Sequence, residues 1–144
     1  MANYIGTFRS SYFRVEDEDA YESLKHHLVA DDVKFWDKEK GGAIYHGFGG
    51  YGCIEGYVED VEAYEDYEAD DAPDYDRFME DLSKIIKKGD ACVIMSAGNE
   101  NLRYVLGNVT VIMKDHVEYD SLEDRAKEIM KKHGVDPSSV NMYY

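Results

Sequence analysis

Cysteine is scarce in this sequence. The 144 residues contain two cysteines, Cys53 and Cys92, which lie far apart and form no Cys-x-x-Cys pair. Two cysteines do not make a disulfide framework, and a zinc site needs more soft ligands at closer spacing. We therefore interpret both as small buried hydrophobic residues in a reducing cytoplasm.

Long apolar runs and basic residues are also few. No apolar run approaches the roughly 20 residues of a membrane span, and no basic and apolar leader follows Met1, so we expect a cytoplasmic protein without a signal peptide or a membrane partner. The 31 acidic residues outnumber the 16 Lys and Arg, which gives a net charge of −15. This charge repels nucleic acid and anionic membranes. We expect a basic protein or a cation as partner, with no direct nucleic-acid contact and no cofactor; the oligomeric state is left open.

The pattern of apolar residues predicts one domain over residues 1–144, with an acidic, tyrosine-rich insert at about 55–72. The predicted strands cover 4–15 (with a break near 9–10), 33–37, 43–46, 91–95, 102–106, 109–113 and an edge strand over 116–119. The predicted helices cover 18–29, a segment that starts within 71–74 and ends at 87–89, and a segment from 121 to 132. Because hairpins dominate, we expect an α+β fold, a mainly antiparallel sheet of four to six strands with about three helices packed on it. A ferredoxin-like split βαβ arrangement is the alternative.

Two of the predicted helices carry an apolar stripe that should face the core. In the middle helix the stripe is Phe78, Met79, Leu82, Ile85 and Ile86. In the last helix it is Leu122, Ala126, Ile129 and Met130. Both stripes recur at the spacing of one helix face, so we expect both to be buried.

A glycine-rich run, Gly47-Phe48-Gly49-Gly50-Tyr51-Gly52, formally matches the G-x-G-x-x-G motif of dinucleotide-binding proteins. In such sites the last glycine opens a helix whose N-terminus holds a pyrophosphate. No helical pattern begins at Gly52, and carboxylates follow it. We therefore expect a flexible or bulged strand end rather than a phosphate loop.

Metal and catalytic motifs are weak. Asp66, Glu68 and Asp70 alternate as the start of an EF-hand does, but its sixth and twelfth positions would be Asp71 and Arg77 instead of Gly and Glu, so a standard EF-hand is excluded and a looser calcium site remains an alternative. The five histidines (26, 27, 46, 116 and 133) have no partner at metal-ligand spacing. A small enzyme that uses His46 and Cys53 is the weakest alternative, and we expect a protein that is not an enzyme.

The dominant feature of the sequence is the segment 51–81, which contains 13 acids against one base, Arg77, and five of the 13 tyrosines. We expect the insert to be a loop or a frayed turn, because neighbouring carboxylates repel one another. A dense row of carboxylates among tyrosines can imitate the charge of duplex DNA, although such runs are often simply solvated. The candidate partner-binding residues are Glu59, Asp60, Glu62, Tyr64, Glu65, Asp66, Tyr67, Glu68, Asp70, Asp71, Asp74 and Asp76.

Two short blocks carry a resemblance to a known group of proteins. Asn3-Tyr4 with Tyr12-Phe13-Arg14-Val15-Glu16-Asp17, and Leu102-Arg103-Tyr104-Val105-Leu106-Gly107, resemble small acidic proteins of bacteriophages and other mobile elements. Many such proteins block host restriction or CRISPR nucleases, some by mimicking DNA. The resemblance implies a non-enzymatic inhibitor of a basic, nucleic-acid-binding nuclease or its complex, acting in the cytoplasm of a bacterial or infected host cell.

Overall fold

The computed structural model describes residues 5–67, 72–100 and 103–142. The strands are β1 (Ile5–Ser10), β2 (Leu28–Ala30), β3 (Lys34–Lys40), β4 (Ala43–Tyr51), β5 (Ile54–Tyr57), β6 (Cys92–Glu100), β7 (Arg103–Met113) and β8 (His116–Ser121). The helices are α1 (Glu18–Lys25), α2 (Val61–Glu65), α3 (Tyr75–Ile85) and α4 (Leu122–Lys132), followed by a short 3-10 turn at Pro137–Ser139. No helix in the described ranges is long and apolar enough to cross a membrane.

Six strands form one sheet in the order β3-β4-β1-β6-β7-β8, and β2 pairs with β5 in a second, two-stranded sheet. Every one of these strand pairs is antiparallel. The predicted α+β fold with a mainly antiparallel sheet is therefore confirmed. The split βαβ alternative, which places parallel strands side by side, does not describe this sheet.

The core lies between α1, α3 and one face of the large sheet, which we call the inner face. Alternation along β1, β4 and β6 points Phe8, Phe48 and Ile94 to this face, and all three are buried. Phe48 meets Phe78 of α3 edge to face, with ring centroids 6.4 Å apart. The opposite, outer face of the sheet includes Met95, which is 59% exposed.

Helix α3 confirms the first predicted stripe. Asp74 caps it by accepting a hydrogen bond from the Arg77 backbone N–H at 3.0 Å. Phe78, Met79 and Leu82 are fully buried. Each such side chain contributes about 2 kcal/mol by leaving water. The helix runs from Tyr75 to Ile85, so the predicted helix began and ended a few residues outside these bounds.

Helix α4 contradicts the second predicted stripe. The helix exists and begins, as predicted, after the cap Ser121. Leu122 and Ile129, however, are 64% and 54% exposed, and no residue of α4 is buried. The helix lies against the β7–β8 edge of the sheet, so the described residues cover only part of its apolar side.

The glycine run is a regular strand, not a flexible or bulged end. Residues 43–51 form β4, which pairs with β3 on one side and β1 on the other. The physical reason is Trp36, whose indole lies over Gly47 and Gly49: a Cβ at Gly47 would overlap the ring, and one at Gly49 would lie 3.1 Å from it. Glycine is required here for close packing of a side chain, not for backbone freedom.

Four element bounds also differ from prediction. Helix α1 ends at Lys25 rather than at 29, because Leu28–Ala30 leaves the helix to pair with β5. The first strand breaks at 11–12 rather than at 9–10. The turn between β3 and β4 is shorter than the predicted gap between residues 37 and 43. It consists of Gly41 and Gly42, whose φ values of +60° and +79° suit a tight two-residue hairpin. The two strands predicted around Gly107 are one strand, β7, and Leu122 packs where a Cβ of Gly107 would be.

Candidate functional site

Backbone hydrogen bonds join the two ends of the acidic insert, where β5 ends and α3 begins. Tyr57 and Asp74 exchange two backbone hydrogen bonds, each 2.9 Å long, which join the end of β5 to the start of α3. Gly56 makes this contact possible: its φ is +135°, and a Cβ there would overlap the backbone of Asp74 and Tyr75. This backbone bridge therefore joins the two ends of the acidic insert, of which the structure describes residues 58–67 and 72–73.

Arg77 is the single basic residue of the segment, and its guanidinium group contacts three side chains next to the Tyr57–Asp74 bridge. Its guanidinium carbon lies 3.8 Å from the centroid of the Tyr57 ring, and Nη1 donates to Glu59 at 2.7 Å. Asp81 lies on its other side, with 3.7 Å between the charged atoms. The hydrogen bond to Glu59 is the main cause that raises the pKa of Arg77 above its usual range. The arginine therefore neutralises acids next to α3 rather than those further out.

The expectation of a loop or frayed turn is wrong for 61–65, which form helix α2. Asp60 caps the helix by accepting from the Ala63 N–H at 3.0 Å, and Glu62 lies in its first turn. Both acids sit at the positive end of the helix dipole. This placement offsets carboxylate repulsion, which the charge count alone did not reveal.

The outward charge is carried by Glu62, Glu65 and Asp66, which are all exposed. Within the described residues, none of the three forms an ion pair. Tyr67 follows them with a 95% exposed side chain and a φ of +58°. Two of these carboxylates, Glu62 and Glu65, thus lie on α2, while Asp66 is its C-cap and the exposed ring of Tyr67 follows it.

The other predicted site residues take structural roles. Asp60 and Asp74 are helix caps. Asp76 accepts a hydrogen bond from the Tyr119 hydroxyl at 3.0 Å. Burial and this carboxylate raise the pKa of Tyr119 well above its usual value. Glu59 pairs with Arg77 at 2.7 Å. Glu68, Asp70 and Asp71 lie outside the described residues.

Tyr64 interacts with two acids, Glu55 and Asp31, that were not among the candidate partner-binding residues. Its hydroxyl donates to Glu55 on β5 at 3.4 Å, and burial followed by the Glu55 and Asp31 charges raises its pKa. Asp31 reaches this surface from the turn after β2, where its carboxylate accepts from the Cys53 N–H at 3.2 Å. Only the antiparallel β2–β5 pairing brings Asp31 here, so no local signal in the sequence indicates it.

The two residues of the enzyme alternative are not arranged for nucleophilic or base chemistry. His46 is 2% exposed, and its two ring nitrogens lie 2.7 Å from Asp37 and Glu18. Both ring nitrogens of this buried histidine are therefore occupied by carboxylates, which leaves neither of them free to contact a substrate. Cys92 is buried as predicted, but Cys53 is exposed, so the prediction is wrong for Cys53. Partial burial of the Cys53 thiol, with the nearby Asp31 and Glu55 carboxylates, raises its pKa and disfavours the thiolate.

The calcium alternative gains no support from the described residues. In residues 5–67, 72–100 and 103–142, no three His, Cys, Asp or Glu side chains converge closely enough to hold a metal ion. Of the residues on which this alternative rests, Glu68, Asp70 and Asp71 lie outside the described ranges, so the calcium site stays a prediction.

Comparisons with known proteins give no assignment. No protein-family model, no curated protein and no solved structure matches this chain.

Proposed function

We propose that this chain is a non-enzymatic inhibitor that binds a basic, nucleic-acid-binding protein of host defence, of the restriction or CRISPR nuclease type, through an acidic surface that mimics DNA. One observation carries the proposal. The exposed acids of α2, Glu62 and Glu65, and its C-cap Asp66 form no ion pair within the described residues, and the Tyr57–Asp74 bridge joins the ends of the insert that carries them. The acids are thus presented by the fold rather than left on a free tail.

The charge of this surface suits a groove that normally holds nucleic acid. Duplex DNA carries one negative charge per about 1.7 Å of its axis, and its binding proteins meet it with clustered Lys and Arg. Segment 51–81 carries 12 of the 15 net negative charges of the chain. Such a concentrated field speeds encounter with a basic groove and discourages acidic partners.

The tyrosines of the segment favour a protein partner over simple solvation. A solvated acidic helix has no need of a large exposed ring beside it, whereas Tyr67 directly follows the acids and is 95% exposed. Tyrosine gives a large contact area at low entropy cost together with a polar hydroxyl, and is enriched in protein interfaces. Acids and rings together fit a basic groove with apolar walls.

Capture from a bacterial lysate tests the proposal. The immobilised chain is loaded at low salt and eluted with a salt gradient, and the eluate is identified by mass spectrometry. Because surface charges are screened over about 8 Å at physiological ionic strength, a partner held by this surface should elute early in the gradient. The expected result is one basic nuclease, or its complex, whose cleavage of duplex DNA the chain inhibits.

The triple variant Glu62→Lys, Glu65→Lys and Asp66→Lys identifies the surface. It should lose capture and inhibition, with binding weakened at least about 100-fold. A matched control carries Glu22→Lys, Glu118→Lys and Glu128→Lys, which changes the net charge equally at exposed sites elsewhere. Equal loss in both variants would show that only net charge matters, and unchanged inhibition by the first triple variant would refute the proposal.

A further inference from the structure

The outer face of the sheet carries a charge opposite to that of the acidic segment. Alternation along β3 places Lys34, Lys38 and Lys40 on this face, while Asp37 points to the other face, where it meets His46. Arg9 joins them from β1, since Arg9 and Lys34 both pair with Gly49. Several of the 16 bases of this acidic chain therefore lie together on one surface.

Aromatic rings alternate with these bases. Arg9 lies 5.1 Å from the centroid of the Trp36 ring, and Lys38 lies 5.6 Å from that of Tyr12. Arg14 lies 5.4 Å from the Tyr45 ring, and its charge is shared with Asp90 at 3.0 Å. Three base–ring pairs on one half of one sheet face form what we call the basic-aromatic face.

Trp36 is held in a way that ordinary core packing does not explain. The indole points away from the core and spans Gly47 and Gly49, with Nε1 over the first glycine and Cη2 over the second. Two glycines therefore leave space for a ring to lie against the backbone on the solvent side of the sheet. This is the geometry of a flat stacking platform whose ring already carries a cation, Arg9, over it.

We propose that the basic-aromatic face binds single-stranded nucleic acid, with Trp36 as the stacking platform and Arg9, Lys34, Lys38 and Lys40 as phosphate contacts. Sites for single strands combine a positive surface with rings on which unpaired bases stack. Duplexes do not offer their base faces in this way. The proposal is independent of the inhibitor function, because it uses a different surface and a different ligand.

The net charge of −15 argues against nucleic acid only if the charge is spread evenly. Here the acidic segment is anchored to β5 and α3, on the inner side of the sheet, and the bases are on the outer side. Charges separated by more than about 8 Å are largely screened at physiological salt. Binding should therefore be weak overall and strongest at salt near the physiological range, where the acids are screened more than the direct contacts.

Intrinsic fluorescence offers a direct test, since Trp36 is the single tryptophan of the chain. Titration with a short oligodeoxythymidylate should quench its emission, and anisotropy of a labelled oligonucleotide should give the affinity. With four phosphate contacts, the slope of log affinity against log salt should be about −3 above physiological salt. Absence of both quenching and an anisotropy change at high protein concentration would overturn the proposal.

Charge-reversal variants distinguish binding at the basic-aromatic face from attraction by the net charge of the chain. Arg9→Glu, Lys34→Glu and Lys38→Glu together should abolish binding, and Trp36→Ala should weaken it roughly ten-fold. The matched control, Lys84→Glu, Lys131→Glu and Lys132→Glu, changes exposed bases elsewhere by the same charge and should stay within about two-fold. Circular dichroism establishes that each variant is folded.

Two outcomes would favour other ligands and overturn the proposal. Equal loss in both charge variants would indicate attraction by net charge alone. Polyglutamate that binds as tightly as the oligonucleotide, with no effect of Trp36→Ala, would assign the face to an acidic protein, such as the acidic segment of a second copy.

Discussion

Replacing the buried Gly56 by alanine should destabilise the junction where the end of β5 meets the start of α3. The new Cβ would overlap the backbone of Asp74 and Tyr75, and the φ of +135° is one that side chains rarely adopt. Backbone strain of this kind costs about 1–3 kcal/mol, and overpacking adds about 1–3 kcal/mol. We expect the free energy of unfolding to fall by about 4 kcal/mol.

Gly89→Ala is the matched control for this prediction. Gly89 also has a positive φ, +88°, but nothing lies within 4 Å of the position of its Cβ. Its substitution should cost only the backbone term, about 1.5 kcal/mol. Urea unfolding at 25 °C, followed by circular dichroism, measures both variants.

The difference between the two variants isolates the close approach of β5 to α3. We expect Gly56→Ala to be less stable than Gly89→Ala by about 2.5 kcal/mol, because the overlap is with backbone that cannot rotate away. A difference below about 0.5 kcal/mol would refute the reasoning, because the end of β5 and the start of α3 would then be able to move apart and accommodate the methyl group. In that case the acidic segment would not be presented from a rigid base.

Three further predictions concern the thiols, one buried carboxylate and calcium. Cys53, whose pKa is raised by burial and nearby carboxylates, should react with a thiol reagent slowly at neutral pH and faster as the pH rises, whereas buried Cys92 should react only after unfolding. Burial opposes ionisation of Asp90, but hydrogen bonds from the Arg14 side chain, the Ala91 N–H and the Arg14 N–H hold its pKa below the usual range. Asp90→Asn should therefore cost about 2 kcal/mol at neutral pH, and urea titrations should show this cost in full above about pH 4 and lost as the pH falls through the lowered pKa. Millimolar calcium should leave the melting temperature unchanged, and a rise would instead support a cation site through ligand linkage.

Elements that are stabilised by residues close to them in the chain could be predicted from short sequence patterns. Helix α3 has a cap, an apolar stripe and a basic end in consecutive residues, so its identity was predictable from the sequence. The β3–β4 hairpin was predictable in the same way, because adjacent glycines fit a tight turn.

Features that depend on distant residues could not be predicted. The strand character of 47–51 requires Trp36 to lie over its glycines, and nothing in the run itself indicates this. The exposure of Leu122 and Ile129 depends on where α4 meets the sheet, which helical periodicity does not define. The sequence identified the acids of the candidate site, but not that Asp31 and Glu55 join them or that Asp60 and Asp74 are caps.

Equilibrium competition on the captured nuclease tests the central claim most directly. Labelled duplex DNA bound to the nuclease is titrated with the chain, and displacement is followed by anisotropy. If Glu62, Glu65 and Asp66 occupy the DNA groove, the wild-type chain should displace the DNA competitively, and the variant with all three reversed to Lys should require at least about 100-fold more protein. Simultaneous binding of DNA and chain, or equal displacement by the reversed variant, would contradict the account.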